Sequence, residues 1–206
     1  MDVLLHPTYF PNIAHFVAML QADHIIFEVC DNYQKQTYRN RSSIYAANGK
    51  LDINVPVIYS QKNRQRTSEI AIFNADNWQL QHLKSLEFAY RTSPFFEFYI
   101  DDLMPLFEIK AHSIMDFNLK CIAFIFNCLQ LPFTYSRTTS FELEPTKIKD
   151  ARGLANSRKE IQQHFSKYAQ VFDDKHGFLP NLSILDLLFN EGPNSESYLE
   201  SKTLIL

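Results

Sequence analysis

Glycine is scarce in this chain, and its scarcity excludes two common kinds of nucleotide site. The sequence has 4 glycines among 206 residues, and no two of them lie close together. The Gly-x-Gly-x-x-Gly fingerprint and the Walker-type Gly-x-x-x-x-Gly-Lys loop both need closely spaced glycines, because there the backbone itself approaches the phosphates. Neither loop is present.

Motifs for structural metals and for membrane insertion are also missing. The 3 cysteines form no Cys-x-x-Cys pair, and there is no His-Glu-x-x-His sequence, so no metal site is predicted. An odd number of cysteines cannot all pair within one chain, which is typical of a reducing compartment. The longest apolar run, CIAFIF, is far shorter than the ~18 residues of a membrane span, and the N-terminus lacks a basic signal-peptide region. We therefore expect a cytoplasmic protein with no membrane span.

Aromatic bulk and nearly balanced charge are what the chain does have. It contains 18 Phe and 10 Tyr, its hydrophobic fraction is 46%, and its net charge is -3. This composition is typical of a globular protein, and the length predicts one domain spanning residues 1–206. A net negative charge makes nucleic acid an unfavourable partner, because proteins that coat it carry a broad basic surface. Any anion site should therefore be local.

The first thirty residues predict a strand, a helix and a second strand. VLL and HIIFEV are short apolar runs, and between them NIAHFVAMLQAD has apolar residues at helical spacing, with Asn12 as its N-cap. Because a helix connects them, the two strands should be parallel.

The remaining segments predict further strands and then helices. Strands are predicted at QKQTYRNRSSIYAA and LDINVPVIY, which flank a turn at Asn48-Gly49, and at SEIAIF and FTYSRTTSF. Helices are predicted at NWQLQHLKSLEFAYR, PFFEFYIDDLMPLFE, IMDFNLKCIAFIFNCLQL, SILDLLFN and SESYLESK. We expect the second helix to break near Pro105, and the polar connector EPTKIKDARG to be a mobile loop. The fold class is α/β, with an N-terminal β-α-β unit, a mixed, mainly N-terminal sheet and a mostly helical C-terminal half.

Polar residues follow both N-terminal strands. Thr8 and Tyr9 come after the first strand, and Asp31 and Tyr33 come after the second. In open α/β sheets, ligands bind beyond the carboxyl ends of the strands. A helix that begins near Asn12 would direct free N–H groups into the same crevice, where they could hold an anion.

A row of cations follows the second strand. Read as a strand, NYQKQTYRNR places Lys35, Arg39 and Arg41 on one face, and Tyr38 and Asn40 on the other. The planar fork of arginine suits phosphate or carboxylate, so this row predicts an anion site. The alternative is a solvated edge strand on which cations oppose aggregation.

A second basic run has the same period-two spacing. Lys62, Arg64 and Arg66 fall in the connection QKNRQRT, where a solvated loop is the stronger interpretation. With neighbouring tyrosines, the two runs could also contact nucleic acid. The acidic net charge disfavours that interpretation.

Asp186 is the carboxylate with two competing interpretations. Ser183, Asp186 and Asn190 lie three and four residues apart and form one polar line along the otherwise apolar SILDLLFN helix. Asp186 could complete a capping box with Ser183 as N-cap. It could equally be a general base or a substrate ligand, since a buried carboxylate must have partners.

Several segments resemble one family in the same order along the chain. They are HPTYFPNIAHFVAMLQADHIIFE, DNYQKQTYRNRSSI, NVPV, NWQLQHLKSLEFAYRTSPFFEFY and GFLPNLSILDLLFNEGP, and together they resemble the WbqC-like family from Met1 to about Gly192. The sequence departs from the family at His6, where many relatives carry Gln. The resemblance implies a place in bacterial surface-polysaccharide (O-antigen) synthesis and a glycine or other amino-acid transferase role.

These observations lead to one main hypothesis for function. The chain would be a transferase that moves an amino-acyl group, such as glycyl, or a similar small group to a nucleotide-linked or lipid-linked sugar. Its anionic substrate would be held by Lys35, Arg39, Asn40 and Arg41, together with the crevice residues Thr8, Tyr9, Asn12 and Asp31. Asp31 or Asp186 would be the base, and Tyr9, Tyr33 and Tyr38 would pack against the sugar or base. The sequence identifies no cofactor.

Two other functions remain open at this point. One is a non-catalytic ligand-binding or scaffold protein of the same pathway. The other is a nucleotidylyltransferase-like enzyme, because Asn12-Ile13-Ala14-His15 stands after the first strand where that class has His-x-Gly-His. Asn and Ala replace the first His and the Gly of that pattern. A phosphate contact and the close backbone approach that Gly allows are thereby lost.

Overall fold

The computed structural model describes residues 1–60, 64–108 and 110–206, so the predicted basic residue Lys62 lies outside the described residues. The strands are β1 (Val3–Leu5), β2 (Ile25–Phe27), β3 (Arg41–Ala46), β4 (Gly49–Asn54), β5 (Val57–Ile58), β6 (Ala71–Ile72), β7 (Tyr135–Arg137) and β8 (Lys149–Asp150). The helices are α1 (Ile13–Leu20), α2 (Trp78–Tyr90), α3 (Phe96–Glu108), α4 (Ile114–Cys128), α5 (Asp173–His176), α6 (Ile184–Glu191) and α7 (Ser195–Glu200). The predicted α/β class and the β1-α1-β2 unit are confirmed.

The central sheet has four parallel strands in the order β7-β2-β1-β8. The chain first builds outward from β1 through β2 to β7, and then returns to the other side of β1 with β8. The strand order therefore reverses between β1 and β8. In open α/β sheets the crevice at such a reversal, beyond the carboxyl ends of the strands, is the usual ligand site.

The connector predicted as a mobile loop contains β8, so that prediction is wrong. Lys149 donates its backbone N–H to Asp2 O, and Ala151 donates to Leu4 O, both at 2.9 Å. The segment is too polar and too short to be recognised as a strand from its own sequence. The free edge of β1 supplies the hydrogen-bonding partners that make it one.

The predicted hairpin is confirmed, but it begins later than expected. The pair β3–β4 turns at Gly49, whose φ of +98° favours glycine. A strand over residues 34–40 is wrong, because these residues bond to other parts of the chain. Tyr38 N–H donates to Ala155 O, and Gln36 has a φ of +58°. The period-two cation row is therefore not a strand face.

The helices follow their predicted apolar patterns, with one difference. Helix α3 continues through Pro105 to Glu108, whereas a break was predicted there. Pro105 has no N–H group to donate to the carbonyl of Asp101, four residues earlier in the helix. Both residues are exposed, so water can hydrogen-bond to that carbonyl instead. No helix in the described part of the chain has the length and apolar character needed to cross a membrane.

Candidate functional site

A pocket of about 590 Å³ opens at the carboxyl edge of the parallel sheet. We refer to it as the strand-end pocket. Residues that follow β1, β2 and β8 contribute to it, so it occupies the point where the strand order reverses. Its lining residues are His6, Cys30, Asp31, Asn32, Gln34, Thr37, Arg39, Arg66, Phe141, Leu143, Asp150, Arg152, Gly153, Ala155 and Asn156.

A buried ion pair between Arg39 and Asp31 forms one wall of this pocket. Arg39 Nη2 donates to Asp31 Oδ2 at 2.5 Å and to His6 Nε2 at 2.8 Å. Thr67 Oγ1 donates to Asp31 Oδ1 at 2.8 Å. Only 2% of the Arg39 side chain and 6% of the Asp31 side chain are exposed. Both charges are thus held by specific partners, as buried charges must be.

Burial sets the protonation of this cluster. Burial and the adjacent Arg39 charge lower the pKa of His6 well below its usual range, so its imidazole is neutral near pH 7. A neutral imidazole has one acceptor nitrogen, and here Nε2 takes that role towards Arg39. Burial also raises the pKa of the Asp31 carboxyl, while Arg39 and the Thr67 hydroxyl oppose the rise. Asp31 is therefore a stronger base than an exposed aspartate with the same partners.

Arg152 forms the opposite wall and is fully engaged there. Its five N–H groups have five acceptors in Asp150 Oδ1 and Oδ2, Glu28 Oε2, Glu142 O and Leu143 O. Arginine has no other donors. Arg152 therefore organises the pocket and has no N–H group left to bind a ligand.

The charges around the strand-end pocket balance. Arg39, Arg66 and Arg152 face Asp31 and Asp150, and Glu28 lies buried behind them with Arg152. Arg66 differs from the other two arginines because it is exposed and has no ion pair among the described residues. Arg66 is therefore the cation with the greatest freedom to meet an anionic ligand.

Arg39 and Arg41 point to different environments although one residue separates them. Asn118 of α4 donates to Arg39 O at 2.7 Å and to Pro7 O at 3.1 Å, which fixes the Arg39 backbone beside the turn after β1. Arg41 begins β3, and it pairs with Asn54 and Asp52 on the hairpin, away from the pocket. Of these two predicted anion ligands, Arg39 lines the strand-end pocket and Arg41 does not.

The other predicted members of the cation row also lie outside the pocket. The Lys35 ammonium is exposed and stands 5.0 Å from the centre of the Tyr59 ring. Asn40 donates its side-chain amide to Val55 O at 2.9 Å and so fixes the entry to the hairpin. Tyr33 and Tyr38 are buried and do not line the pocket. Burial raises the pKa of Tyr33 to about 12.

The N-terminus of α1 offers no free N–H groups to an anion. The backbone N–H groups of Ile13, Ala14 and His15 donate to Leu182 O, Asn181 Oδ1 and Asn12 Oδ1 respectively. The Asn12 N-cap is thereby confirmed. The N–H groups that were predicted to bind an anion already donate to acceptors within the chain. His15 is fully buried, so this geometry does not favour the nucleotidylyltransferase alternative.

Thr8 and Tyr9 also belong to the interior. Both are fully buried and neither lines the strand-end pocket. The Tyr9 hydroxyl lies 2.9 Å from His82 Nδ1 on α2, which ties the turn after β1 to that helix. Burial lowers the pKa of His82 to about 4, so this partner is neutral. These contacts are structural.

Asp186 is the centre of a second buried network. Its carboxylate accepts from the Tyr90 hydroxyl at 2.9 Å, from Gln170 Nε2 at 2.8 Å and from the Tyr168 hydroxyl. Ser183 is the N-cap of α6, as predicted, but Asp186 does not complete a capping box, because Ser183 N–H donates to Ser43 O.

The position of Asp186 bears on its predicted role as a base. The residue is fully buried and does not line the strand-end pocket. Its three donors come from α2 and from the segment before α5. Asp186 therefore joins separate parts of the chain, and this geometry favours a structural role.

The sequence did not single out two residues that build the strand-end pocket, Glu28 behind its lining and Arg152 in its wall. Glu28 could have been noticed, because a carboxylate inside the apolar run HIIFEV needs a buried partner. Arg152 had no such signal, since β8 was not recognised.

Among the described residues, no three His, Cys, Asp or Glu side chains are grouped so as to hold a metal ion.

The Asp186 network predicts a specific dependence of stability on pH. Burial raises the pKa of Asp186 to about 6, above the ~3.9 of an unfolded chain. The native state therefore binds this proton first as the pH falls, and the contribution of Asp186 to the stability of the wild type rises between about pH 7 and pH 4. Asp186→Asn cannot bind the proton, so the stability advantage of the wild type over this variant should grow by about 2 kcal/mol across that range.

Urea denaturation at several pH values measures this difference. Asp174→Asn removes the same charge from an exposed position and is the matched control. Wild-type and Asp186→Asn stability curves that stay parallel from pH 7 to pH 4 would contradict the network described for Asp186.

Comparison with known proteins identifies a distant relative and a family. The chain is 24% identical over 222 aligned positions to the uncharacterised protein Rv1507c of Mycobacterium tuberculosis, covering 95% of this chain and 96% of that protein. No solved structure matches the chain. The model of the WbqC-like protein family matches residues 6–160, a range that begins directly after β1 and includes β2, β8 and every lining residue of the strand-end pocket. The chain belongs to the WbqC-like protein family.

Proposed function

We propose that the strand-end pocket binds an anionic nucleotide-linked or lipid-linked sugar and that the chain transfers an amino-acyl or similar small group to it. The observation that carries this proposal is the convergence of Asp31, Arg39 and Arg66 at the reversal point of a parallel sheet. The family resemblance supports a role in surface-polysaccharide synthesis, and the cytoplasm, where nucleotide sugars are made, is the proposed compartment.

Asp31 is the proposed general base. The acceptor hydroxyl or amine would give its proton to an Asp31 carboxylate oxygen as its own oxygen or nitrogen attacks the acyl carbon of the donor. The bond from that carbon to the donor's leaving group then breaks. Asp31 suits this task better than His6, because burial raises the pKa of Asp31 and lowers that of His6.

Arg66 is the proposed first contact for the anionic group. It is exposed, lines the pocket, and has no ion pair among the described residues. Arg39 lies deeper and is already paired with Asp31, so it would orient Asp31 and contribute its positive charge. The nearly balanced charge of the surroundings suits a ligand with few negative charges, such as a diphosphate.

A second function is favoured by a specific observation. Both Asp31 oxygens already accept hydrogen bonds, Oδ1 from Thr67 and Oδ2 from Arg39. A carboxylate held in this way is suited to fixing the shape of a pocket as well as to taking a proton. The chain could therefore serve as a non-catalytic ligand-binding protein of the same pathway.

Arg66→Ala tests the anion-binding part of the proposal. A hydrogen bond to a charged group contributes ~1.5–3 kcal/mol to the free energy of binding. Because Arg66→Ala lacks it, the variant should bind pyrophosphate about 10- to 150-fold more weakly than the wild type. Isothermal titration calorimetry measures the change, and a urea titration should show unchanged stability because Arg66 is exposed. Arg91→Ala, which removes an exposed arginine outside the pocket, is the control. Equal pyrophosphate affinity in wild type and Arg66→Ala would contradict the proposed site.

Asp31→Asn separates the enzyme from the binding protein. Asn keeps the shape and can still accept from Thr67, but it cannot take a proton. It also leaves the buried Arg39 charge without its ion-pair partner, so the variant should unfold at a lower urea concentration than the wild type. If Asp31 is the base, the folded variant should transfer an amino-acyl group to a nucleotide sugar ~10²–10⁴-fold more slowly and should still bind pyrophosphate, because a negative charge has been removed from the pocket. Quenched reactions analysed by mass spectrometry give the rate, and calorimetry gives the affinity. A folded variant that transfers at the wild-type rate would rule out Asp31 as the base.

A further inference from the structure

The mouth of the strand-end pocket has an apolar side that the proposed function does not yet use. Phe141 and Leu143 line the pocket, and 48% and 77% of their surfaces are exposed. They belong to the connection between β7 and β8, where the chain has no regular structure. Two large exposed apolar side chains beside a polar cavity favour a ligand that has an apolar or aromatic part.

This apolar rim is fixed in place by Arg152. The guanidinium donates to Glu142 O at 2.9 Å and to Leu143 O at 3.0 Å. These bonds hold the backbone between the two rim residues and directly after the second one. Its central carbon also lies 5.3 Å from the centre of the Phe141 ring, within the range of a cation–π contact. Arg152 is in turn held by Asp150 and Glu28. Because this surface is already ordered, it loses little conformational entropy when a ligand binds to it.

We infer that Phe141 is the stacking platform for the base of a nucleotide whose phosphates lie in the strand-end pocket. This inference rests on the proposed function and names its substrate class, a nucleotide-linked sugar. Every nucleobase has a π-face that stacks on an aromatic side chain. With the guanidinium against it, the Phe141 ring has a defined orientation and still exposes about half of its surface.

The surroundings of Phe141 favour a base over a lipid chain. The exposed amides of Asn32 and Gln34 line the same pocket and offer both donors and acceptors to a base edge or a ribose hydroxyl. A lipid chain would instead need a continuous apolar path, whereas the residues that line the pocket are mostly polar and its large apolar side chains are Phe141 and Leu143. A volume of about 590 Å³ lies within the usual range for a small-molecule site.

Calorimetric titration of the full chain tests this inference. The ligands are pyrophosphate, UDP, ADP, CDP, GDP and farnesyl pyrophosphate, and the proteins are wild type, Phe141→Ala and Phe98→Ala. Phe98 is an exposed phenylalanine on α3 that lines a separate pocket, so it is the matched control. At least one nucleoside diphosphate should bind the wild type more tightly than pyrophosphate. Phe141→Ala should weaken that nucleotide about 5- to 150-fold, equivalent to the ~1–3 kcal/mol of one stacked base.

The outcomes separate this inference from the proposed function. Phe141→Ala should leave pyrophosphate affinity unchanged, and Phe98→Ala should change neither affinity. If pyrophosphate binds but no nucleoside diphosphate binds more tightly, or if Phe141→Ala leaves nucleotide affinity intact, the stacking inference is overturned while the anion site stands. If farnesyl pyrophosphate binds more tightly than every nucleotide and depends on Phe141, the rim takes a lipid chain and the inference is overturned. If no diphosphate binds, the proposed function itself fails.

Discussion

The buried ion pair between Arg39 and Asp31 is the interaction on which the strand-end pocket depends. Taking two charges out of water costs several kcal/mol for each ion, and their mutual attraction offsets that cost only with good geometry and further hydrogen bonds. Thr67 and His6 supply those hydrogen bonds. Removing either charge would leave the other buried without a partner, which is strongly destabilising. The proposed role in ligand binding accounts for a buried charge pair that stability alone does not require.

The pair also connects the sheet to the segment that covers its carboxyl edge. Asp31 follows β2 and Arg39 precedes β3, so their contact closes residues 31–39 into a loop beside the pocket. Asn118 holds the Arg39 backbone from α4. On the opposite side, Arg152 donates all its side-chain N–H groups to Asp150, to Glu28 and to the two backbone carbonyls of Glu142 and Leu143. One arginine therefore keeps a charge at the proposed ligand site, and the other orders the wall of the pocket.

Much of this could be predicted from the sequence where the signal was local. Apolar periodicity and the Asn12 cap gave β1, α1 and β2, and the carboxyl edge of those strands is where the pocket lies. The direction of Arg39 could not be predicted, because nothing local distinguishes it from Arg41 and only tertiary contacts turn one inward. Strand β8 and Arg152 were missed for the same reason, since a polar segment became a strand through the free edge of β1. Distant contacts, not propensity, decided these elements.

Protection of Cys30 from alkylation tests the central claim, that the strand-end pocket is a ligand site, most directly. Cys30 is half-buried and lines this pocket, whereas Cys128 is also half-buried and lines a different one. Burial raises the pKa of the Cys128 thiol to about 12, so Cys128 reacts slowly and each thiol is compared only with itself, with and without pyrophosphate. Iodoacetamide modification of both thiols can be followed by peptide mass spectrometry with and without pyrophosphate. At ten times the dissociation constant about nine in ten sites are filled, so Cys30 should react roughly tenfold more slowly while Cys128 reacts at an unchanged rate. Unaltered Cys30 reactivity with pyrophosphate bound, or protection confined to Cys128, would contradict this account.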